Sequence, residues 1–461
     1  MDYSKLNLKI GLEIHRQVDS HKLFCKCPSK LSEGIPDLKI KRNLRAVESE
    51  VNEQDKSAIF EMLKERNGLY EVFHESSCLV ELDEEPILDI NRDALKTILT
   101  VSKLLKCDIV DDLIIMRKQV LDYSNTSGFQ RTGLVARNGY VNVKDNVIEI
   151  DGIFIEEDAA RKVKQNNKEV VYRIDRLGIP LIEIATAPDI KTPEEARDVA
   201  AHIGMLLKST KGFKSGIGTI RQDLNISIKN GARVELKGVQ NLRDIPKIID
   251  NEIKRQLSLK KVTEEVRRVN DNLESDFMRP MPGASRMYVE TDIPEINVKS
   301  LIKEVKLPKL ISEYVKELVK KGLNESLANE IIKKDINLED YKLDPRLVAY
   351  VLIEKPKEIK RRFKLEVKRE NLDRVLELLE GKKINKEIIV DVLIDLENDK
   401  FDISNYKKID TKVIEDEVKN LISNGLSVKA MMGILMGKYK GKVSGKELVE
   451  IIKKNEKSNN Y

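Results

Sequence analysis

The sequence predicts an α+β protein: a cradle-like, mostly antiparallel sheet domain with helices, then a helical domain, then a small helical tail. Three features predict it. Up to about residue 295, short segments alternate apolar and polar residues, the period of half-buried strands, and Gly- and Asn-rich turns join them. Beyond "DIPEINV" the apolar residues recur at spacings of three and four with few turn breakers, which is the helical period. An Asp/Asn/Lys-rich linker, "ENDKFDISNYKKIDTK", then sets off a last helical unit. The expected divisions are 1–295, 296–398 and 399–461.

The first strand is read from "LKIGLEIHRQV", residues 8–18, where Leu8, Ile10, Leu12 and Ile14 alternate with Lys9, Gly11, Glu13 and His15. Residues two apart share a face, so Glu13 and His15 project together, away from the core. A solvated strand face accounts for that pair alone; a pair of metal ligands needs further carboxylates on neighbouring strands. "RDALKTILTVSKLLK" reads as a helix, and so does "TPEEARDVAAHIGMLLKST" behind its Thr-Pro-Glu-Glu start. "NGYVNVKDNVIEIDGIFI", "VVYRIDRLGIPLIEIAT" and "GTIRQDLNISIKNGARVELKGV" read as strands. Strands in clusters with helices set apart suggest an antiparallel sheet. Helices resume at "LIKEVKLPKLISEYVKELVKKGL" and "LDRVLELLEGKKINKEIIVDVLIDLEN", and the chain closes on the basic "MMGILMGKYKGKVSGKELVEIIKK".

Several of these strands carry a polar face. Arg221, Asp223, Asn225 and Ser227 line one side of "TIRQDLNISI", and Arg233, Glu235 and Lys237 one side of "ARVELKG". Glu183 sits among Leu181, Ile182 and Ile184, so its carboxylate needs a cation or a network of donors. "GIFIEEDAARK" adds Glu156, Glu157 and Asp158 at a strand end, with Glu156 and Glu157 facing opposite ways. Each strand alone fits a wet face salt-bridged by Lys118, Arg221 and Lys237. Together, Glu13, His15, one of Glu156 and Glu157, Glu183 and Asp223 suit Mg²⁺, a hard cation shared between carboxylates and nucleotide phosphates. Lys118 and Arg221 suit the phosphate charge.

Bulk numbers bound the rest. In 461 residues, 35% are charged and 41% hydrophobic, enough core for about three domains under a Lys/Glu-rich surface. A net charge of +5 leaves any nucleic-acid contact to a local basic patch. No run of 18 apolar residues and no signal-peptide core is present, so the expectation is a cytoplasmic protein with no membrane association. Neither a GxxxxGK[ST] nor a GxGxxG occurs. Cys25 and Cys27 form a CxC without a second CxxC or nearby CxH. Cys78 or His74 could extend that pair, but reduced thiols and no zinc are the expectation.

"IGLEIHRQVDSHKLFCKCPS", "SNTSGFQRTGLVA", "IEEDAARK", "RLGIPLIEIATAPDI" and "PGASRMYVETDIP" resemble the GatB/GatE family, specifically the E subunits of the archaeal glutamyl-tRNA(Gln) amidotransferase GatDE. The resemblance covers nearly the whole chain. It implies ATP- and Mg²⁺-dependent phosphorylation of the γ-carboxylate of glutamate misacylated onto tRNA(Gln), followed by displacement of phosphate by ammonia to give Gln-tRNA(Gln). It implies Mg²⁺ ligands at Glu13, His15, Glu157 and Glu183. Catalytic roles are expected for Lys118, Glu157, Arg221, Asp223 and Glu235, and nucleotide contacts for Lys118, Arg221 and Asn225. It further implies a basic tail edge on the tRNA backbone, formed by Lys438, Lys440, Lys442 and Lys446 behind a small core of Met431, Ile434 and Leu435. No amidase signature is present, so the implied ammonia source is a partner, the asparaginase-like glutaminase GatD, in a heterodimer or heterotetramer.

The sequence departs from the E pattern in one respect. E subunits carry an insertion domain before the "PGA" segment; here only "NDNLESDFMRPM" separates Val269 from Pro282. Two other readings compete. A B-type subunit of a GatCAB complex, also acting on Asp-tRNA(Asn), is disfavoured by "HRQ" and "GFQRT". A catalytically inactive tRNA-binding adaptor is disfavoured by the presence of Glu13 and His15.

Overall fold

A computed structural model describes residues 1–48, 52–216, 218–334, 336–406, 411–439, 443 and 445–459. They form two compact units, Met1–Leu310 and Ile311–Tyr461. The α+β class holds: a large, mostly antiparallel sheet lies in the first unit and helices make up the second.

The main sheet of the first unit runs through β1 (Lys9–Gln17), β2 (Ile115–Gln119), β3 (Phe129–Val143), β4 (Asn146–Glu157) and β5 (Pro180–Thr186). It continues through β6 (Ile220–Ser227), β7 (Val234–Val239), β8 (Glu265–Val269), β9 (Ser275–Pro280) and β10 (Met287–Val289). The spatial order is β9-β8-β7-β6-β1-β5-β4-β3-β2-β10, so β1 is central, flanked by β5 and β6. One pair in it, β7 with β8, is parallel.

Alternation along the central strands divides the sheet's faces. Ile10, Leu12 and Ile14 of β1, Ile182 and Ile184 of β5, and Leu224 and Ile226 of β6 enter one apolar cluster. α2 (Arg92–Leu104), α3 (Pro193–Ser209) and α4 (Ile245–Ser258) supply Leu95, Ile98, Val199, Ile203, Ile249 and Ile253 to it, while α1 (Lys56–Met62) packs near β9. α3 starts where the sequence signals it: Thr192 accepts the Glu195 N–H and Pro193 takes the first turn. Burying a Leu or Ile side chain contributes about 2 kcal/mol each, so this cluster fixes the register of the strands crossing it.

The sheet has to curl. Nine gaps of about 4.8 Å would place flat edges about 43 Å apart, whereas residues 281–286 joining β9 to β10 reach at most about 25 Å. Where the resemblance expects an insertion, β8 and β9 form a tight hairpin: Asn270 N–H donates to Glu274 O at 2.9 Å and Leu273 takes a φ of +62°.

The first unit carries on past residue 295. Ile296–Asn297 pairs with Asp112–Leu113, and Val298 and Leu301, the latter in α5 (Lys299–Glu304), enter the same core. A separate four-stranded sheet of Leu38–Arg42, Asn67–Val72, Glu169–Arg173 and Arg161–Gln165 has its own cluster around Tyr70, Tyr123 and Tyr172.

The second unit runs through α6 (Ile311–Lys320), α7 (Glu325–Lys333), α8 (Pro345–Ala349), α9 (Lys355–Phe363), α10 (Arg369–Glu380) and α11 (Ile389–Glu397). These share a core that includes Val351, Val375 and Leu393. A second core joins α12 (Thr411–Ser423), α13 (Val428–Lys438) and α14 (Gly445–Asn459) through Ile414, Val418, Met431, Leu435 and Ile452.

Candidate active site

On the face of the sheet away from the helices, strand register gathers the polar residues. Opposite one another across β1 and its neighbours stand Glu13 and Asp223, His15 and Glu183, and His15 and Arg221. Directly opposed residues share a face, so the alternation that buries Ile14 delivers Glu13 and His15 to this side. His15 Nε2 lies 3.1 Å from Glu183 Oε2 and 4.0 Å from Glu156 Oε2. Lys118 on β2 pairs with Glu156 and lies 3.9 Å from Glu183. Gln130 donates to Glu156 at 3.2 Å.

The second half of the site lies on the other side of β1. Asn225 donates to Glu13 at 3.0 Å, and Lys237 donates to Asp223 at 2.8 Å while also pairing with Glu235. β6 and β7 are offset by a bulge here, and Gly238, with φ +87°, turns its N–H onto Asp223 Oδ1 at 3.3 Å. Two groups of donor atoms result, each within 4.8 Å: Glu13, His15 and Glu183, and Glu13, Asp223 and Glu235. Glu13 is common to both.

The electrostatics separate these carboxylates. Burial, with Glu235 and Glu183 nearby, pushes the Glu13 carboxyl up to about 7. Burial acts the same way on Glu183, but Lys118 and the His15 hydrogen bond outweigh it and hold that carboxyl well below the usual range. Burial would lower the His15 pKa; Glu183 and Glu156 raise it. Asp223 is held low, against its burial, by Lys237 and His15. The raised Glu13 carboxyl shows negative charge crowded at the point the two groups share, which a divalent cation bound by the oxygens would relieve.

Two residues expected in the site are engaged with other partners. Glu157 is on the opposite face from Glu156: its Oε2 accepts the Arg131 N–H at 3.2 Å and lies 3.5 Å from Arg131 Nη1. Glu156 takes the place expected for Glu157. The signal was available in the parity of "IFIEE": Ile153 and Ile155 face the core, and Glu157 shares their side. Arg221 is not free for phosphate either, because Nη2 donates to Asp158 Oδ1 at 2.7 Å and Gln17 and Arg176 complete the setting of that buried carboxylate. In the tail, Lys438 is exposed and paired with Glu417, and Ile434 is exposed while Met431 and Leu435 are buried. Lys440 and Lys442 lie outside the described residues, as does the side chain of Lys446. Sequence reading gave Lys237 only a salt bridge and Gln130 no role.

Away from this site, the fold joins Cys78 to the Cys25 and Cys27 pair and adds Glu81, which the sequence did not suggest. The donor atoms of Cys25, Cys27, Cys78 and Glu81 lie within 4.8 Å of one another, and Cys25 Sγ donates to Glu81 Oε1 at 2.8 Å. His74 is exposed and outside the group. The Cys25 hydrogen bond lowers the Cys27 thiol to about 7, while burial raises Cys78 to about 12. Three sulfurs and one carboxylate oxygen are a donor set that tetrahedral zinc accepts.

The GatB/GatE catalytic domain matches residues 8–304, the stretch that forms the sheet and both donor groups of the polar face. The chain belongs to the GatB/GatE family. It is 45% identical over 308 residues to the E subunit of glutamyl-tRNA(Gln) amidotransferase from Methanothermobacter thermautotrophicus, covering 67% of this chain and 49% of that protein. The protein of the same name from Sulfolobus acidocaldarius is 48% identical over 323 residues, 70% of this chain and 48% of the other. This chain thus spans about half the length of such relatives in those matches. The Archaeoglobus fulgidus protein of that name is 33% identical across 99% of both chains, in an alignment of 611 positions against 461 residues here. That alignment holds positions this member of the family lacks, in keeping with its short β8–β9 hairpin. No helix among the described residues is long and apolar enough to cross a membrane.

Proposed function

We propose that this chain is the synthetic subunit of a glutamyl-tRNA(Gln) amidotransferase of the E type. In this reading it phosphorylates the γ-carboxylate of glutamate on tRNA(Gln) with ATP and then amidates it. The observation that carries the reading is the pair of carboxylate-rich donor groups sharing Glu13 within the matched domain. Glu13, His15 and Glu183 would hold one Mg²⁺, and Glu13, Asp223 and Glu235 a second, with Glu156 beside the first. When bound, such ions neutralise phosphate charge and align the in-line displacement.

The chain's own groups do the rest. Lys118, held between Glu156 and Glu183, offers a cation at the edge of the first group. Lys237 donates to Asp223, holding that carboxyl ionised, and pairs with Glu235, so it orients both. A γ-carboxylate oxygen of the substrate attacks the terminal phosphorus, the bond to the β-phosphate breaks, and ADP leaves. Ammonia then adds at the acyl carbon, the carbon–oxygen bond to phosphate breaks, and the amide remains after a proton is lost. Ammonia would come from a glutaminase partner of the asparaginase-like kind, in a heteromeric complex working in the cytoplasm. The tail, residues 399–461, would press Lys438, Lys440, Lys442 and Lys446 against the tRNA backbone, a contact that positions without reading sequence.

The test is ADP release. Purified chain with ATP and Mg²⁺ should form ADP when Glu-tRNA(Gln) is added and not when uncharged tRNA(Gln) is. Equal rates with both would refute the assignment of phosphoryl transfer to the glutamyl group.

A further inference from the structure

Most buried arginines of the first unit have carboxylate partners. Arg117 and Arg131 share the buried Glu290, Arg267 pairs with Glu265, and Arg221 with Asp158. Arg279, near the end of β9, and Arg286, just before β10, depart from this. Both are half-buried, and neither side chain forms a hydrogen bond or ion pair with any described residue; Arg279 Nε is buried without a partner. Arg286 has Glu235, Asp55 and Glu156 only at electrostatic range, and half-burying two guanidinium groups with no direct ion pair is costly, which marks a place where an anion belongs.

Their position says which anion. Residues 281–286 link the two edges of the curled sheet, and Arg286 precedes Met287, which pairs in register with Lys118. Arg286 is within electrostatic range of Glu156 beside the first donor group, of Glu235 in the second, and of Arg279. Its charge is therefore felt at both groups. The link is anchored: Asp55 caps α1 through the Ser57 and Ala58 N–H groups, and its other oxygen accepts the Gly283 N–H at 2.7 Å. Phe60 of α1 meets Phe277 of β9 edge-on, with centroids 5.8 Å apart. The two arginines are thus held on a fixed strap. Burial and the neighbouring Arg279 also lower the Arg286 pKa, as expected for a cation awaiting an anion.

We propose that Arg279 and Arg286 form an anion clamp that grips the terminal phosphoryl group of a nucleoside triphosphate whose cations rest on the two carboxylate groups. The inference rests on the ATP-dependent reading above and adds the residues that hold the transferred group. Guanidinium forks match phosphoryl oxygens in geometry, and the transferred group keeps its equatorial oxygens from nucleotide to acyl phosphate to free phosphate. The clamp therefore serves all three without moving.

Calorimetric titration of the intact chain with ATP, ADP and inorganic phosphate in Mg²⁺ tests this, with Arg279→Gln, Arg286→Gln and the matching Lys variants beside wild type. Glu-tRNA(Gln) binding is measured separately without nucleotide. Each Gln variant should weaken ATP about tenfold or more, near 1.4 kcal/mol, while ADP changes about twofold or less. Lys variants should recover part of the ATP affinity, and millimolar guanidinium should restore part of the turnover of Arg286→Ala. Wild-type-like ATP affinity in both Gln variants would overturn the clamp, and so would loss of tRNA binding with ATP affinity intact, which assigns the arginines to the tRNA backbone. If wild type itself bound no ATP, the parent reading would fail at the first titration.

Discussion

Replacing Glu156 by Gln keeps the shape of the side chain and deletes one charge beside the first donor group. That charge lies 4.0 Å from His15 Nε2 and is in contact with Lys118. A unit charge at 4 Å counts for about 4 kcal/mol at an effective dielectric of about 20. Gln130 can still hydrogen-bond the amide oxygen, so we expect a net loss of about 3 kcal/mol in stabilising phosphoryl transfer, or about a 100-fold fall in kcat. Glu157→Gln is the paired control. It faces Arg131 on the other side of the strand, so Mg²⁺ affinity and Glu-tRNA-dependent ADP formation should stay near wild type. The assay is steady-state ADP release at saturating Glu-tRNA(Gln), with Mg²⁺ affinity followed by titration. If Glu157→Gln lost Mg²⁺ binding while Glu156→Gln kept it, the assignment of faces would be wrong.

Glu290 is fully buried between Arg117 and Arg131, and Glu290→Gln should cost about 3 kcal/mol or more at pH 7 by stranding two guanidinium groups. Burial opposes ionisation there, but the arginines prevail and hold its pKa below the ordinary value. The stabilisation is thus complete above the unfolded pKa of about 4.3 and is lost as pH falls through the lower folded value, so urea curves of variant and wild type should converge in acid. Elemental analysis of the purified chain should find one zinc per molecule, lost in Cys25→Ser or Cys78→Ser; a metal-free wild type with the same stability would remove that site. Deleting residues 400–461 should raise the KM for Glu-tRNA(Gln) far more than that for ATP and flatten the salt dependence of tRNA binding. Unchanged tRNA affinity at physiological salt would reassign the tail.

Much of the site was legible because strands have a period of two. The alternation in "LKIGLEIHRQV" placed Glu13 and His15 on one face, and that in "TIRQDLNISI" placed Asp223 and Asn225 on the face they meet. What a period cannot tell is which partner a side chain finds. Arg221 has the right face but is taken by Asp158, which sits three strands away in spatial order at the end of β4. The family resemblance points to Glu157, although the core-facing Ile153 and Ile155 set the parity in favour of Glu156. The cysteine group joins Cys25 and Cys27 to Cys78 across fifty intervening residues, and its fourth donor is a glutamate, so no CxxC spacing announced it. Arg279 and Arg286 look like ordinary surface cations in the sequence. Only the absence of a described partner beside two carboxylate groups sets them apart. The α+β class followed from where strand period gives way to helical period, whereas the first compact unit ends at Leu310, since Val298 and Leu301 pack into its core.

If activation and amidation both reside in this chain, it should complete the synthesis alone once ammonia is supplied. The purified chain, with no partner, is incubated with Glu-tRNA(Gln), ATP, Mg²⁺ and ammonium, and the amino acid released from the tRNA is identified. Slow formation of Gln-tRNA(Gln) that requires ATP is expected, with no product when glutamine replaces ammonium, because no glutaminase nucleophile is apparent in this sequence. Glutamate alone recovered from the tRNA, with ATP left intact, would contradict it.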